Sequence, residues 1–486
     1  MAESAVSSTR AVRQEFQLRG HRRPSVRIVP TAQQRAVIEF TGRRLKVLAG
    51  PGTGKSSTLV EAVAQRIAVR DCAPESVLVL TFSRRAAAEL TAGITRRLGI
   101  TTREPIVRTL HGYAFSLLRA QAVRSGEPSP RLLGAGESDQ MVRELLAGQR
   151  ESGRGGWPAT VSAALDSPAF AAELRDLMLR TAERGITPRR LADLGRRRHR
   201  PEWQAAADFA REYQDVSDLR QGSSGLGAAL DQAELTRAAL GLLSDDQVLA
   251  AEQKRVRRIF VDEYQDVDPS QARLIELLAS GADELVVFGD PDQSIYAFRG
   301  SDPAALRDIS VDDTVSLTVS RRLAPAILTA TRRLSDRLPG QLPHRALTSG
   351  SKGSGGLIEP QTAGAGITPL PPAGEVVVRT LPTAAKEAAF IADELRRAHL
   401  RAGVPWARMA VLVRSPVSSL PALRRAFAAA GVPLTVSGQD TTLTADPVVA
   451  VLLTILRCGQ QPSSVSGDAR SRVRIPAIVN SDSTRW

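Results

Sequence analysis

The sequence predicts an α/β fold: a parallel-sheet domain interrupted by a helical insertion and followed by a partial second α/β domain. Three observations lead there. Short apolar runs alternate with helical spacing over residues 29–112 and again over 250–316, the rhythm of strands joined by crossover helices. The run Leu45–Leu48 leads into a glycine-rich turn, Ala49-Gly-Pro-Gly-Thr-Gly-Lys-Ser56, that opens a helix. Two further runs, Ile259–Val261 and Leu285–Phe288, end in Asp262-Glu263 and in Gly289-Asp-Pro-Asp-Gln293. Acids and a glutamine at the carboxyl ends of such strands stand where open α/β sheets bind nucleotides.

Residues 1–28 mix small polar residues with Arg10, Arg13, Arg19, Arg22, Arg23 and Arg27, which predicts a disordered basic arm. Order begins near Val29, and strands are expected at Leu45–Leu48, Val77–Thr81 and Ile106–Thr109, with helices from Gly54 and Arg84. Residues 113–249 lose the strand rhythm; Ala-, Leu- and Arg-rich helical spacing predicts an insertion of about one small domain. Strands return at Arg258–Val261, Glu284–Phe288 and Thr314–Val319. Residues 317–458 are expected to begin a second α/β domain, with strands at Glu375–Thr380 and Met409–Val413 and helices at Ala384–His399 and Ser419–Ala430. Gly, Ser, Pro and Thr dominate 349–374, a flexible loop, and the tail 459–486 is aperiodic and expected to be unstructured.

Composition narrows the class. The 486 residues suffice for about three domains, and 42% hydrophobic content is ordinary for packed cores. A net charge of +14 suits a polyanionic partner such as nucleic acid, although charge kept for solubility explains it equally well. Cys72 and Cys458 are too few for a disulfide framework and read as thiols of a reducing cytoplasm. No apolar run approaches the roughly 20 residues that span a bilayer, and no signal-peptide pattern opens the chain, so no membrane partner is expected.

The glycine-rich turn has a specific chemistry. Gly50, Gly52 and Gly54 let the backbone of Ala49, Pro51 and Thr53 wrap phosphate oxygens at a helix N-terminus, followed by Ser56 and Ser57. Lys55 would reach the β- and γ-phosphates of ATP and the Ser56 hydroxyl would ligate Mg²⁺. Ala49 stands where the strict pattern has glycine, and a ligand-free turn is the competing reading. Asp262 and Glu263 weigh against it, because adjacent carboxylates abutting an apolar strand are costly unless a cation or a reaction uses them. Asp262 fits the metal position and Glu263 the base that orients a water; Gln293 fits a γ-phosphate sensor.

With these residues in place the chain resembles superfamily 1 DNA helicases of the UvrD/Rep/PcrA type. The resemblance implies a RecA-like P-loop domain and then a partial second RecA-like domain. Gln33 matches the glutamine that reads the adenine edge; Thr81–Leu90 and Thr109–Gly112 match motifs Ia and Ib. Residues 261–266 match motif II and 289–300 motif III; Leu317–Leu323 resembles motif IV, where Arg322 aligns with the arginine that contacts the γ-phosphate. Arg321 replaces the family's adenine-stacking tyrosine.

The track implied is single-stranded DNA and its junctions with duplex. The resemblance places Phe82, and Tyr296 and Phe298 with Arg299 beside them, in the strand-binding groove, with Phe298 in place of a common tryptophan. Such platforms stack bases, whereas aromatics elsewhere are mostly core. His111 fits either a DNA-backbone contact or a helix cap. The run Arg196–Arg200 reads as a solvated face, or as a duplex contact by resemblance. Motifs V and VI are not found after residue 375. Two functions therefore stand side by side: an ATP-dependent 3′–5′ helicase in repair or recombination, with or without a partner motor or nuclease subunit, and a truncated module that binds ATP and single strands with little unwinding. A transporter ATPase or GTPase fits Val261–Asp266 and Gly289–Gln293 poorly.

Overall fold

A computed structural model describes residues 29–70, 72–99, 106–224, 227–297, 300–350 and 374–436. The predicted basic arm, most of the 349–374 loop, and everything after residue 436 lie outside them. Contacts divide the chain into two compact units, which among described residues comprise 29–350 with 374–376, and 377–436.

The first unit is built on six parallel strands: β1 (Arg44–Ala49), β2 (Val77–Thr81), β3 (Val107–Thr109), β6 (Arg258–Val261), β7 (Glu284–Gly289) and β8 (Asp313–Leu317). Their order is β3-β2-β6-β7-β1-β8, the RecA-like arrangement of a central parallel sheet. Two-residue strands β4 (Arg131–Leu132) and β5 (Ala229–Leu230) pair within the insertion. Strand alternation explains the two-faced core. Ile259, Val261, Leu285 and Val287 face helices Leu110–Ser125, Gln232–Leu242 and Pro269–Ser280, while Phe260, Val286 and Phe288 join Leu59, Val63, Leu90 and Ile94 on the other face. The central strands β2, β6 and β7 are apolar on both sides because helices cover both sides.

One buried charge pair locks this sheet to its first helices. Arg66, fully buried on helix Lys55–Ala68, donates twice to Glu284 of β7 (2.5 and 3.2 Å to Oε1) and also to the carbonyls of Ile38 and Phe40. The carbonyls satisfy donors that the carboxylate leaves over, which makes the burial tolerable.

The insertion has its own core of Met141, Val142, Leu146, Leu174, Leu191, Phe209 and Tyr213, supplied by helices Ala135–Ser152, Pro168–Glu183, Pro188–Arg197 and Pro201–Ser224. The strand expected over Thr314–Val319 is broken: β8 ends at Leu317, and β9 (Val319–Ser320) pairs instead with β10 (Thr348–Ser349). The cause is Gln33, whose Oε1 accepts the Thr318 backbone N–H at 3.0 Å and removes it from the ladder. Residues 317–350, read from sequence as the start of the second domain, group with the first unit.

In the second unit helices Ala384–Ala402 and Pro416–Ala430 pack through Ala388, Ala392, Leu423 and Phe427. The strands expected at Glu375–Thr380 and Met409–Val413 do not form among the described residues. Val378 is 85% and Leu412 93% exposed. A strand is defined by the partner it bonds, and no ladder partner stands beside these segments among the described residues.

Candidate functional site: the tips of three adjacent strands

β6, β7 and β1 are neighbours, so their carboxyl ends open onto one place. β1 delivers the glycine-rich turn, β6 delivers Asp262 and Glu263, and β7 delivers the turn Asp290–Gln293. The register keeps these ends level, with Leu48 opposite Gly289 and Val261 opposite Val287.

The turn after β1 is shaped by Gly52 (φ 77°) and Gly54 (φ 85°), both in the left-handed region that disfavours side chains. Space forbids them as well. A Cβ on Gly52 would stand 2.6 Å from Ser320 Oγ, and one on Gly54 would stand 2.7 Å from Gln34 Nε2. The turn is held by hydrogen bonds to three of its carbonyls. Thr53 Oγ1 donates to Gly50 O (2.7 Å), Gln34 Nε2 to Thr53 O (3.0 Å) and Ser320 Oγ to Pro51 O (3.0 Å). Ser56 and Ser57 lie exposed in the first turn of the helix, as an anion site at a helix N-terminus requires.

Lys55 ion-pairs with Glu263, which also accepts the Gln265 amide at 2.7 Å. Glu263 itself has φ 54°, a conformation rare for a non-glycine residue and costing of order 1–3 kcal/mol. Asp262 is 4% exposed, and its Oδ1 has no hydrogen-bond partner. Burial pushes its carboxyl up to about 6, partly opposed by Lys55 and reinforced by Glu263. Asp266 behaves alike: burial and Glu263 push it up to about 7 against Lys55, and its Oδ1 is also orphaned. One ammonium thus faces three carboxylates. An orphaned, buried hard-oxygen donor beside an exposed serine hydroxyl fits a divalent cation such as Mg²⁺.

The remaining sequence-predicted residues fall in three groups. Arg322 lies beside the turn, its Cβ 2.9 Å from where a Gly52 side chain would begin; its side chain is exposed and has no ion pair among the described residues. Gln33 and Gln293 are near but engaged: Gln33 clasps Thr318 through both amide atoms, and Gln293 Nε2 donates to Asp290 Oδ2 at 2.7 Å. Phe82 and Tyr296, half-buried, stack on each other with ring centroids 4.9 Å apart and planes 24° apart. Phe298 and Arg299 lie outside the described residues. The helix cap open to His111 belongs to Thr109, whose Oγ1 accepts the Gly112 N–H; the His111 ring sits 3.2 Å from the Gln271 amide, and burial holds it down to about 4, hence neutral.

Two residues absent from the sequence reading join the site. Gln265, 1% exposed, donates to Glu263 and accepts the Asp290 N–H (3.0 Å), bridging the β6 and β7 tips. His344 packs against Asp290 and Asp292 from 54 and 52 residues away. A cavity of about 670 Å³ in the helical layer, lined by Arg175, Tyr213, Asp231 and Glu234, contains none of these residues.

Comparison with known proteins fits this geometry. The family model for the UvrD/REP helicase N-terminal domain matches residues 30–312. The chain belongs to the UvrD/REP helicase family. Among curated UvrD/REP relatives, DNA helicase II of Escherichia coli is 28% identical over 327 residues, 66% of this chain and 42% of its own length. ATP-dependent DNA helicase UvrD1 of Mycobacterium leprae is 28% identical over 339 residues, 66% of this chain and 41% of that one. ATP-dependent DNA helicase PcrA of Staphylococcus epidermidis is 25% identical over 413 residues, 84% of this chain and 50% of that one. The chain therefore spans half or less of the length of these relatives. Among the described residues no helix is long and apolar enough to cross a membrane.

Proposed function

We propose that the chain binds ATP with Mg²⁺ at the three strand tips, hydrolyses it, and uses the cycle to move along single-stranded DNA with 3′–5′ polarity. The observation that carries the reading is the shared cluster of Lys55, Asp262 and Glu263 at the mouth of a glycine-lined turn. In this reading the turn's N–H groups and Lys55 hold the β- and γ-phosphates, and Ser56 and Asp262 hold Mg²⁺. Bound Mg²⁺ neutralises charge on the phosphate oxygens. Glu263, freed from Lys55 when phosphate takes the ammonium, orients the attacking water. Gln293 turns from Asp290 toward the γ-phosphate, and Arg322 approaches it from the other side of the turn. Catalysis of this kind is mostly positioning and electrostatics.

DNA is assigned to the tip of β2 and the segment that follows β7. Phe82 and Tyr296 are sandwiched against each other, and a base entering between them would replace that stack with its own. A second reading, an ATP- and strand-binding module with little unwinding, is favoured by one observation: the second unit forms no strand ladder among its described residues. ATP turnover with and without oligothymidine, alongside strand displacement, separates the two. DNA-stimulated turnover lost in Lys55→Ala supports the motor; binding without turnover supports the module.

A further inference from the structure

One short segment outside the recognised motifs touches two pieces of the site, the turn after β1 and the turn after β7. After helix Pro325–Ser335 the chain passes through the tight turn Pro343–Arg345 and into β10, which pairs with β9 just before Arg322. Leu347 and the His344 carbonyl close over the phosphate turn: a Cβ on Gly50 would lie 2.8 Å from Leu347 Cδ2 and 3.3 Å from His344 O. Arg345 grips Asp292 with two bonds of 2.7 Å, a bidentate fork that fixes the carboxylate's plane. The His344 ring is 1% exposed, with Nε2 3.0 Å from Asp290 Oδ1 and 3.3 Å from Asp292 Oδ2.

Asp290 is therefore held from two sides. His344 lies against Oδ1, which also accepts the Asp292 N–H at 3.0 Å, while Gln293 donates to Oδ2. Burial alone would raise the Asp290 carboxyl; His344, Gln293 and the Asp292 N–H outweigh it and keep the group below the usual range. Two carboxylates two residues apart on a turn repel; the Arg345 guanidinium offsets that repulsion, and the buried His344 ring packs against both carboxylates. His344 and Arg345 add to the bonds that the turn makes within itself and to Gln265, and they are its contacts with the segment 343–349.

We infer that His344 and Arg345 are positioning residues of the nucleotide site: they fix the Asp290–Asp292 turn and thereby set where the Gln293 amide stands relative to the phosphate turn. The inference rests on reading that turn as the ATP site. Because the same segment continues into β10, it also ties this geometry to β9, the strand that leads into Arg322.

The test uses the whole chain with His344→Ala, His344→Gln, Arg345→Met and Arg345→Lys. Amide exchange without nucleotide should speed up about tenfold or more over residues 289–295 in His344→Ala and Arg345→Met, while the strand interiors keep their rates. ATP turnover should fall in kcat by ~10- to 100-fold with KM within about twofold, as expected for a misplaced group rather than lost binding. His344→Gln, which keeps a polar side chain against Asp290, should recover part of kcat; Arg345→Lys, which lacks the fork, should recover little. Unchanged exchange at 289–295 overturns the inference, as does a uniform rise across the sheet, or kcat effects of His344→Ala and Gln293→Ala that simply multiply. Zn²⁺ stabilisation abolished by His344→Gln also overturns it, because the trio would then be a metal site. If the parent hydrolyses no ATP, the motor reading alone fails and the exchange comparison still decides this one.

Discussion

Glu263→Gln separates the two things that Glu263 does. In the structure it holds Lys55 and is held by Gln265, with side chains of Lys55 and Glu263 12% and 33% exposed. A nucleotide arriving at the turn competes with that ion pair for the ammonium. At this partial exposure the pair is worth about 1 kcal/mol after screening and desolvation. Its removal should therefore tighten ATP binding by ~5- to 10-fold. The amide accepts no proton from water, so turnover should fall by ~10²- to 10⁴-fold. Equilibrium binding of a fluorescent ATP analogue gives the first number and phosphate release under saturating oligothymidine gives the second. Normal turnover would refute Glu263 as the water-orienting base. Weaker nucleotide binding would refute the competition for Lys55.

Three further outcomes follow from the same coordinates. Glu284→Gln or Arg66→Met, each breaking the buried pair from one side, should cost about 3–5 kcal/mol, whereas Arg66→Met with Glu284→Leu should cost less than the sum; urea unfolding measures both, and strict additivity would exclude the coupling. Phe82→Ala should weaken oligothymidine binding by about 1–3 kcal/mol in fluorescence anisotropy, and an unchanged Kd would return the Phe82–Tyr296 stack to simple packing. Burial pushes Glu183 up to about 8 from its ordinary 4.5, overriding Arg180, with Asp268 adding to the rise. Between those values the folded chain binds more protons than the unfolded one, so stability falls as pH rises through that window. Melting temperatures at pH 5.5 and 8 should drop in the parent and drop less in Glu183→Gln; equal drops would show that Glu183 is not the source.

The phosphate turn and the acids were legible because backbone geometry and charge cost restrict which residues can stand there. Gly52 and Gly54 sit at positive φ, and Asp262 and Glu263 abut a buried strand, so local sequence carries the message. The central strand runs of the first unit, β2, β6 and β7, were legible for the same reason: each is apolar on both faces. Pairings through space were not. Gln265 to Asp290 and His344 to Asp290 join residues 25 and 54 positions apart, and nothing in either neighbourhood announces the other. Gln33 was assigned to adenine, yet its contact with Thr318 is set by where β8 passes. The second unit shows the opposite failure. Val377, Val378 and Met409–Val413 have strand composition, but composition does not provide the neighbouring strand.

The β2–β6 seam gives the first unit a mechanical property. Leu80 pairs with Val261, and the Leu80 carbonyl accepts the Asp262 N–H at 2.8 Å. One residue further along, Thr81 leads directly into Phe82. Under the proposed function, fuel and cargo would be fastened to the two strands of a single hydrogen-bonded hem. A tug on the aspartate as a nucleotide came or went would then reach the aromatic ring through only a few bonds.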